Sequence, residues 1–172
     1  VEIDPSTLKA KFHRIEHHDA HVAAGFLISP FDHAAVLSID GMGDFTSVLT
    51  AEAQQASSKD ISRVYFPHSL GFLYSAITMY LGFPHYGDEY KVMGLAPYGE
   101  PEFIELFRKI VFPQKDTFAL NLDYFTHHRK GIRMQWNDGA PRVEPFHSDL
   151  LERTLGPMRD SREEMTSKHD NI

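Results

Sequence analysis

Residues His33–Ile39 read His-Ala-Ala-Val-Leu-Ser-Ile and end at Asp40-Gly41-Met42-Gly43-Asp44. So short and nearly continuous an apolar run predicts a strand buried on both faces, because a helix of this burial would be longer. The Asp and Gly residues that follow predict a tight turn. Phe45–Glu52 alternates well enough to be the return strand of a hairpin, and Ile61–Phe66 reads as a third strand. Upstream, Glu16–Leu27 is rich in Ala and His, carries no Gly before Gly25, and reads as a helix stopped by Ser29-Pro30-Phe31-Asp32. Downstream, Leu70–Phe83 reads as an amphipathic helix with Ser69 as its N-cap. Tyr86–Glu100 reads as a loop. Glu102–Val111 reads as a helix with Phe103, Phe107 and Ile110 on one side. Asn121–Phe125 and Gly131–Trp136 read as short strands, and Gly156–Ile172 as irregular and polar. This order predicts an α/β domain with a mixed β-sheet flanked by helices.

The 172 residues suit one domain, and 42% hydrophobic content is enough for a core. A formal net charge of -7 argues against a nucleic-acid-coating surface, which needs a basic patch. It fits small-molecule substrates. With no cysteine there is neither a disulfide nor a thiolate metal site, so any transition metal must be held by His, Asp or Glu. No apolar run approaches the roughly 20 residues that cross a bilayer. Val1-Glu2-Ile3-Asp4-Pro5 has neither the basic start nor the apolar stretch of a signal peptide, so a cytoplasmic location is expected. Both ends look like boundaries within a longer polypeptide.

Four of the eleven histidines lie between His13 and His21. On a helix, His17 and His21 project from one face about one turn apart, the spacing with which two imidazoles bind one metal ion. His18 and His21, three apart, could do the same, and spacing does not choose between the pairs. The bland alternative is a set of surface histidines, or one buried histidine bonded to a carbonyl. In Asp40-Gly41-Met42-Gly43-Asp44, the glycines would let the main chain approach a phosphate and hold it with N–H groups. Asp40 could contact a phosphate-bound metal ion, though an ordinary hairpin turn needs the same residue types. Lys91, in Lys91-Val92-Met93-Gly94-Leu95-Ala96-Pro97-Tyr98-Gly99, could meet a phosphate or carboxylate, or simply pair with Glu89 or Asp88.

Four ordered segments together resemble one family. They are Glu16-His17-His18-Asp19-Ala20-His21-Val22-Ala23-Ala24-Gly25-Phe26, Ser38-Ile39-Asp40-Gly41-Met42-Gly43-Asp44, Tyr65-Phe66-Pro67-His68-Ser69-Leu70-Gly71-Phe72-Leu73-Tyr74, and Glu89 through Gly99. They resemble the carbamoyltransferases of the NodU, CmcH and TobZ kind, most densely from Ile15 to Gly99. The resemblance implies an actin-like, ribonuclease H-like ATPase fold. Residues 1–32 would end its first lobe with the histidine helix, and residues 33–172 would begin the second with a phosphate-binding hairpin. It implies that carbamoyl phosphate and ATP give a carbamoyl-adenylate in a separate domain, and that the carbamoyl group then passes to an acceptor hydroxyl.

By position, His17 and His21 match the family's metal ligands, with iron(II) the implied ion, while His18 matches none. Asp40, Gly41 and Gly43 match the turn at the nucleotide phosphates. Lys91 falls in a family motif and is a candidate substrate contact. The family's general-base histidine, a later acidic ligand and the adenylate-forming domain have no counterpart here, so the 172 residues alone are expected to be inactive. A nucleotide-binding module without chemistry, or another ATPase or sugar kinase of the same fold, stays open at this stage. So do the acceptor and the oligomeric state, a homo-oligomer included.

Overall fold

A computed structural model describes residues 9–137 and 139–172, so Val1–Pro5 lies outside the described residues. Helix α1 (His17–Leu27) begins at Glu16, whose carboxylate accepts the Asp19 N–H as N-cap. Three antiparallel strands follow in the order β1 (His33–Gly43), β2 (Thr46–Gln54) and β3 (Ser57–Tyr65). Helix α1 lies on one face of this sheet, burying Val22 with Leu49 and Ala51, and Val36 packs beside them. Its buried stripe is His18, Val22 and Phe26, each four residues on from the last.

The sheet corrects two expectations. The central, buried strand is β2, where Thr46 through Leu49, Ala51 and Ala53 are all buried. The run predicted to be buried on both faces is an edge strand, with Leu37 61% and Ile39 50% exposed. Apolar composition alone cannot distinguish a covered face from an open one. The turn also comes later than predicted: β1 runs through Gly43, and the reversal is made by Asp44 and Phe45, both at positive φ (48° and 68°). Between Ile39↔Val48 and Gly43↔Thr46 the register shifts, with three residues of β1 (Asp40, Gly41 and Met42) set against one of β2 (Ser47). Asp40-Gly41-Met42 therefore bulges from the ladder, the kind of irregularity that re-aims a side chain.

Helix α2 (Leu70–Tyr80) has the predicted cap: Ser69 Oγ accepts the Phe72 N–H. It enters the main core with Ala76, Ile77, Tyr80 and Leu81 against Ile110, Leu120, Phe125, Phe146 and Leu151. The segment predicted as loop, Tyr86–Glu100, instead holds α3 (Glu89–Leu95) and a 3-10 turn over Ala96–Tyr98. No residue of α3 is buried, so it carries no apolar periodicity to betray it.

Helix α4 (Ile104–Ile110) matches the predicted helix and leads into the hairpin β4 (Val111–Gln114) and β5 (Thr117–Leu120). Asn121–Phe125 is a 3-10 turn over Leu122–Tyr124 rather than a strand. The short helix α5 (His127–Lys130) precedes β6 (Met134–Asn137), which falls at the end of the predicted Gly131–Trp136 strand and pairs with β7 (Ala140–Val143). Helices α6 (Asp149–Leu155) and α7 (Ser167–Asn171) complete the described chain, α7 within the stretch read as irregular. The molecule is α/β, but all three sheets among the described residues are antiparallel rather than mixed. No helix among them is long and apolar enough to cross a membrane.

Candidate metal centre

Helical phase divides the three neighbouring histidines. His18 falls on the stripe facing the sheet and is fully buried, bonded through Nδ1 to Ser38 Oγ at 2.8 Å and through Nε2 to Thr46 O at 3.0 Å. It has no ring nitrogen left for a ligand. His17 and His21 project beside that stripe, with Nε2 atoms 3.0 Å apart. The bulge in β1 turns Asp40 toward them, its Oδ2 2.7 Å from His17 Nε2 and 3.9 Å from His21 Nε2. The three ligand atoms all lie within 4.8 Å of one another.

Main-chain contacts hold this arrangement. Asp44, in the hairpin turn, accepts the His17 backbone N–H through Oδ2 at 3.1 Å. Gly41 N–H donates to Asp40 Oδ1 at 2.6 Å, and Ser69 Oγ donates to Gly41 O at 2.7 Å, tying the bulge to the start of α2. Two glycines make the close approaches possible. A Cβ on Gly43 would lie 2.1 Å from the His17 ring, and one on Gly71 would lie 2.7 Å from the Gly41 Cα. Arg63 of β3 reaches Glu16, Asp19 and Asp60, pinning the first turn of α1 to the far strand. Its bond with Asp60, and those with Glu16 and Asp19, raise its pKa despite burial.

The donor set suits a cation better than a proton. Burial would push the Asp40 carboxyl up, but the bonds from His17 and the Gly41 N–H, with the nearby imidazoles, bring it below the ordinary carboxylate range. It is therefore anionic at neutral pH. His17 Nε2 faces both Asp40 Oδ2 and His21 Nε2, yet carries either one proton or one lone pair. A proton aimed at Asp40 leaves His17 unable to accept from His21. A divalent ion in its place would meet all three lone pairs. At metal–ligand bonds of roughly 2.0–2.1 Å, neighbouring donors lie roughly 3 Å apart, as His17 does from His21 (3.0 Å) and from Asp40 (2.7 Å), while the Asp40–His21 pair is wider at 3.9 Å.

Sequence reasoning paired the histidines but set Asp40 and the glycines at a phosphate. The structure brings Asp40 to His17 and His21, Gly41 to the Asp40 carboxylate, and Gly43 under the His17 ring. A β-bulge is what aims Asp40 there, and nothing in residue spacing announces one. Lys91 is not in the cluster: its Nζ lies 2.6 Å from Asp88 Oδ1 and 5.4 Å from the Phe83 ring centroid.

Comparison with known proteins decides the family. The family described as "Carbamoyltransferase N-terminus" matches residues 5–139, most of the chain. The chain belongs to the carbamoyltransferase N-terminus family. Among its relatives is the uncharacterized Synechocystis sp. protein sll1178, 43% identical over 147 residues, 81% of this chain and 24% of that protein. Nodulation protein NolNO of Sinorhizobium fredii is 42% identical over 101 residues, 59% of this chain and 14% of its own length. Nodulation protein NolO of Bradyrhizobium diazoefficiens is 44% identical over 96 residues, 54% of this chain and 17% of its own. The chain thus spans about a quarter or less of these relatives.

Proposed function

We propose that this chain is the metal-bearing part of an O-carbamoyltransferase, which moves a carbamoyl group from carbamoyl phosphate, through a carbamoyl-adenylate made with ATP, to a hydroxyl of a sugar or antibiotic-like acceptor. The observation that carries this reading is the convergence of His17, His21 and Asp40 at the bulge of β1, in a chain of the carbamoyltransferase N-terminus family. A divalent ion held there, iron(II) by the family resemblance, supplies Lewis-acid charge stabilisation when bound.

The chain's own groups do the positioning. His17 is fixed at its backbone by Asp44 and at its ring by Asp40, so its Nε2 points at one place. Asp40 and its bulge are fixed in turn by Gly41, Ser69 and the close approach of Gly71. Such preorganisation lets a site meet developing charge without rearranging. By the family resemblance the same turn also lies at the nucleotide phosphates, beside the bound ion.

In this reading the chain is part of an actin-like domain, with residues 1–32 in its first lobe and 33–172 in its second. The remaining polypeptide supplies the base, a further acidic ligand and the adenylate-forming domain. In this reading the enzyme works in the cytoplasm; its partners are small molecules, neither nucleic acid nor membrane, and a second copy of itself is compatible. The test supplies the full-length protein with ATP, carbamoyl phosphate and a panel of hydroxylated acceptors, followed by mass spectrometry. One acceptor is expected to gain a carbamoyl group as ATP is consumed. No gain by any acceptor together with no ATP turnover contradicts the reading.

A further inference from the structure

A pocket of about 360 Å³ lies between the end of α2, strand β7 and residues 156–163. That volume is within the size range of small-molecule sites. Met79, Pro84, Val143 and Met158 give it apolar walls. Its lining also holds a buried charge, Arg159, which is 5% exposed. Arg159 Nε donates to Leu81 O at 2.6 Å, and Nη1 donates to Asp160 O at 3.1 Å and to Glu163 O. All of these acceptors are main-chain carbonyls, and no carboxylate pairs with the guanidinium among the described residues. Nη2 makes no bond among them. It sits against Gly82, a lining residue at positive φ (83°), where a Cβ would lie 3.2 Å from it. An arginine keeps its charge in proteins, and burying a charge without a negative partner is costly. The carbonyl end of α2 offsets part of that cost but leaves Nη2 unused. A second cation in the lining, Arg142, is exposed and makes no side-chain bond or ion pair among the described residues. The two acids beside them are already engaged. Gln135 Nε2 donates to Glu144 Oε1 at 2.8 Å, and Arg162 donates to both carboxylate oxygens of Asp160 at 3.0 Å.

We infer that this pocket binds a small carboxylate with an apolar body, one carboxylate oxygen accepting from Arg159 Nη2 while the body lies on Met79, Val143 and Met158. Three features select this class of ligand. An unused donor on a buried cation calls for an anionic acceptor, because charge-assisted bonds are strong where water is excluded. The apolar walls call for a hydrocarbon part, and methionine side chains adapt to its shape. Glu144 and Asp160 in the same lining favour one negative charge over two, which selects a carboxylate over a phosphate. Arg142 adds a second positive charge for the carboxylate. The pocket shares no residue with the cluster of His17, His21 and Asp40, so this site stands independently of the carbamoyltransferase reading.

The test uses the full-length protein with isotope-labelled methionine methyls, titrated in NMR with benzoate, benzamide and inorganic phosphate. Benzoate is expected to shift the methyls of Met79 and Met158 and to leave those of Met42 and Met93 in place. Benzamide has the same shape without the charge and should bind about tenfold more weakly or worse, as for loss of a bond to a charged group. Phosphate has the charge without the body and should leave both methyls unmoved. Arg159→Lys keeps the charge, removes Nη2, and should weaken benzoate about tenfold. Because Arg159 also bonds Leu81 O, a second variant decides the matter if that one does not fold. Arg142→Glu alters a side chain that makes no bond in the fold, so its melting temperature should equal the parent's while benzoate binds about fivefold more weakly or worse. No benzoate-induced shift at Met79 and Met158, equal binding of benzamide or phosphate, or unchanged benzoate affinity in Arg142→Glu overturns the assignment.

Discussion

His17 and His18 are neighbours with opposite duties, and the difference is one step of helical phase. His18 lies in line with Val22 and Phe26 and spends both ring nitrogens on Ser38 and Thr46. His17 lies one residue earlier and meets His21 and Asp40. The i, i+4 spacing was visible in the residues alone, and so was the ambiguity among the three. Only the packing of α1 on the sheet resolves it. A fourth histidine has a measurable consequence of its own. His127 is 1% exposed among Phe66, Phe72, Phe125 and Phe146, and its Nε2–H donates to Pro67 O at 2.9 Å. Its buried Nδ1 has no partner. Desolvation lowers its pKa, as do the nearby His128 and His68, against the opposing bond to Pro67. The folded state therefore binds this proton less readily than the unfolded state does, and the stability held by neutral His127 is fully present only above the ordinary histidine value of about 6.5. Urea unfolding should show stability falling as pH drops below about 6.5 toward the lowered value, with a shallower fall in His127→Phe. An unchanged slope in that variant would contradict the assignment.

Among the elements, the junction of β1 with α2 matters most. Ser69 was legible as a cap, and it caps; what could not be read is that the same hydroxyl donates to Gly41 O. Gly71 likewise passes for an ordinary helix glycine until the structure sets its missing Cβ 2.7 Å from the Gly41 Cα and 2.9 Å from the Asp40 carbonyl. Long-range backbone contacts leave no periodic trace in a sequence. Gly71→Ala should push α2 and the bulge apart, at a cost of about 1–3 kcal/mol. Asp40 should then meet His17 less well, so the variant should lose metal affinity as well as stability. Unfolding curves and metal titration of the full-length variant check both. The misreadings at this scale have similar causes. Helix α3 reads as a loop because its glycine-bearing sequence holds no fully buried residue, and β1 reads as an interior strand because its exposed Leu37 and Ile39 look like core residues.

At the scale of the molecule, a small core holds α1 to the sheet and a larger one gathers around α2, with the candidate centre where β1 touches both helices. The α/β class and the motif order were readable from the start, because family motifs survive as contiguous words. Sheet direction and the turn of Asp40 toward the histidines were not, since both depend on pairings between distant segments. The central claim is that His17, His21 and Asp40 hold one metal ion while His18 does not. Metal analysis of the purified full-length protein tests this most directly, with His17→Ala, His21→Ala, Asp40→Asn and His18→Ala measured beside the parent. The account predicts a stoichiometric divalent ion in the parent, loss of it in the first three variants, and retention in folded His18→Ala. Metal kept by all of the first three, or lost from folded His18→Ala while His17→Ala keeps it, would contradict the account.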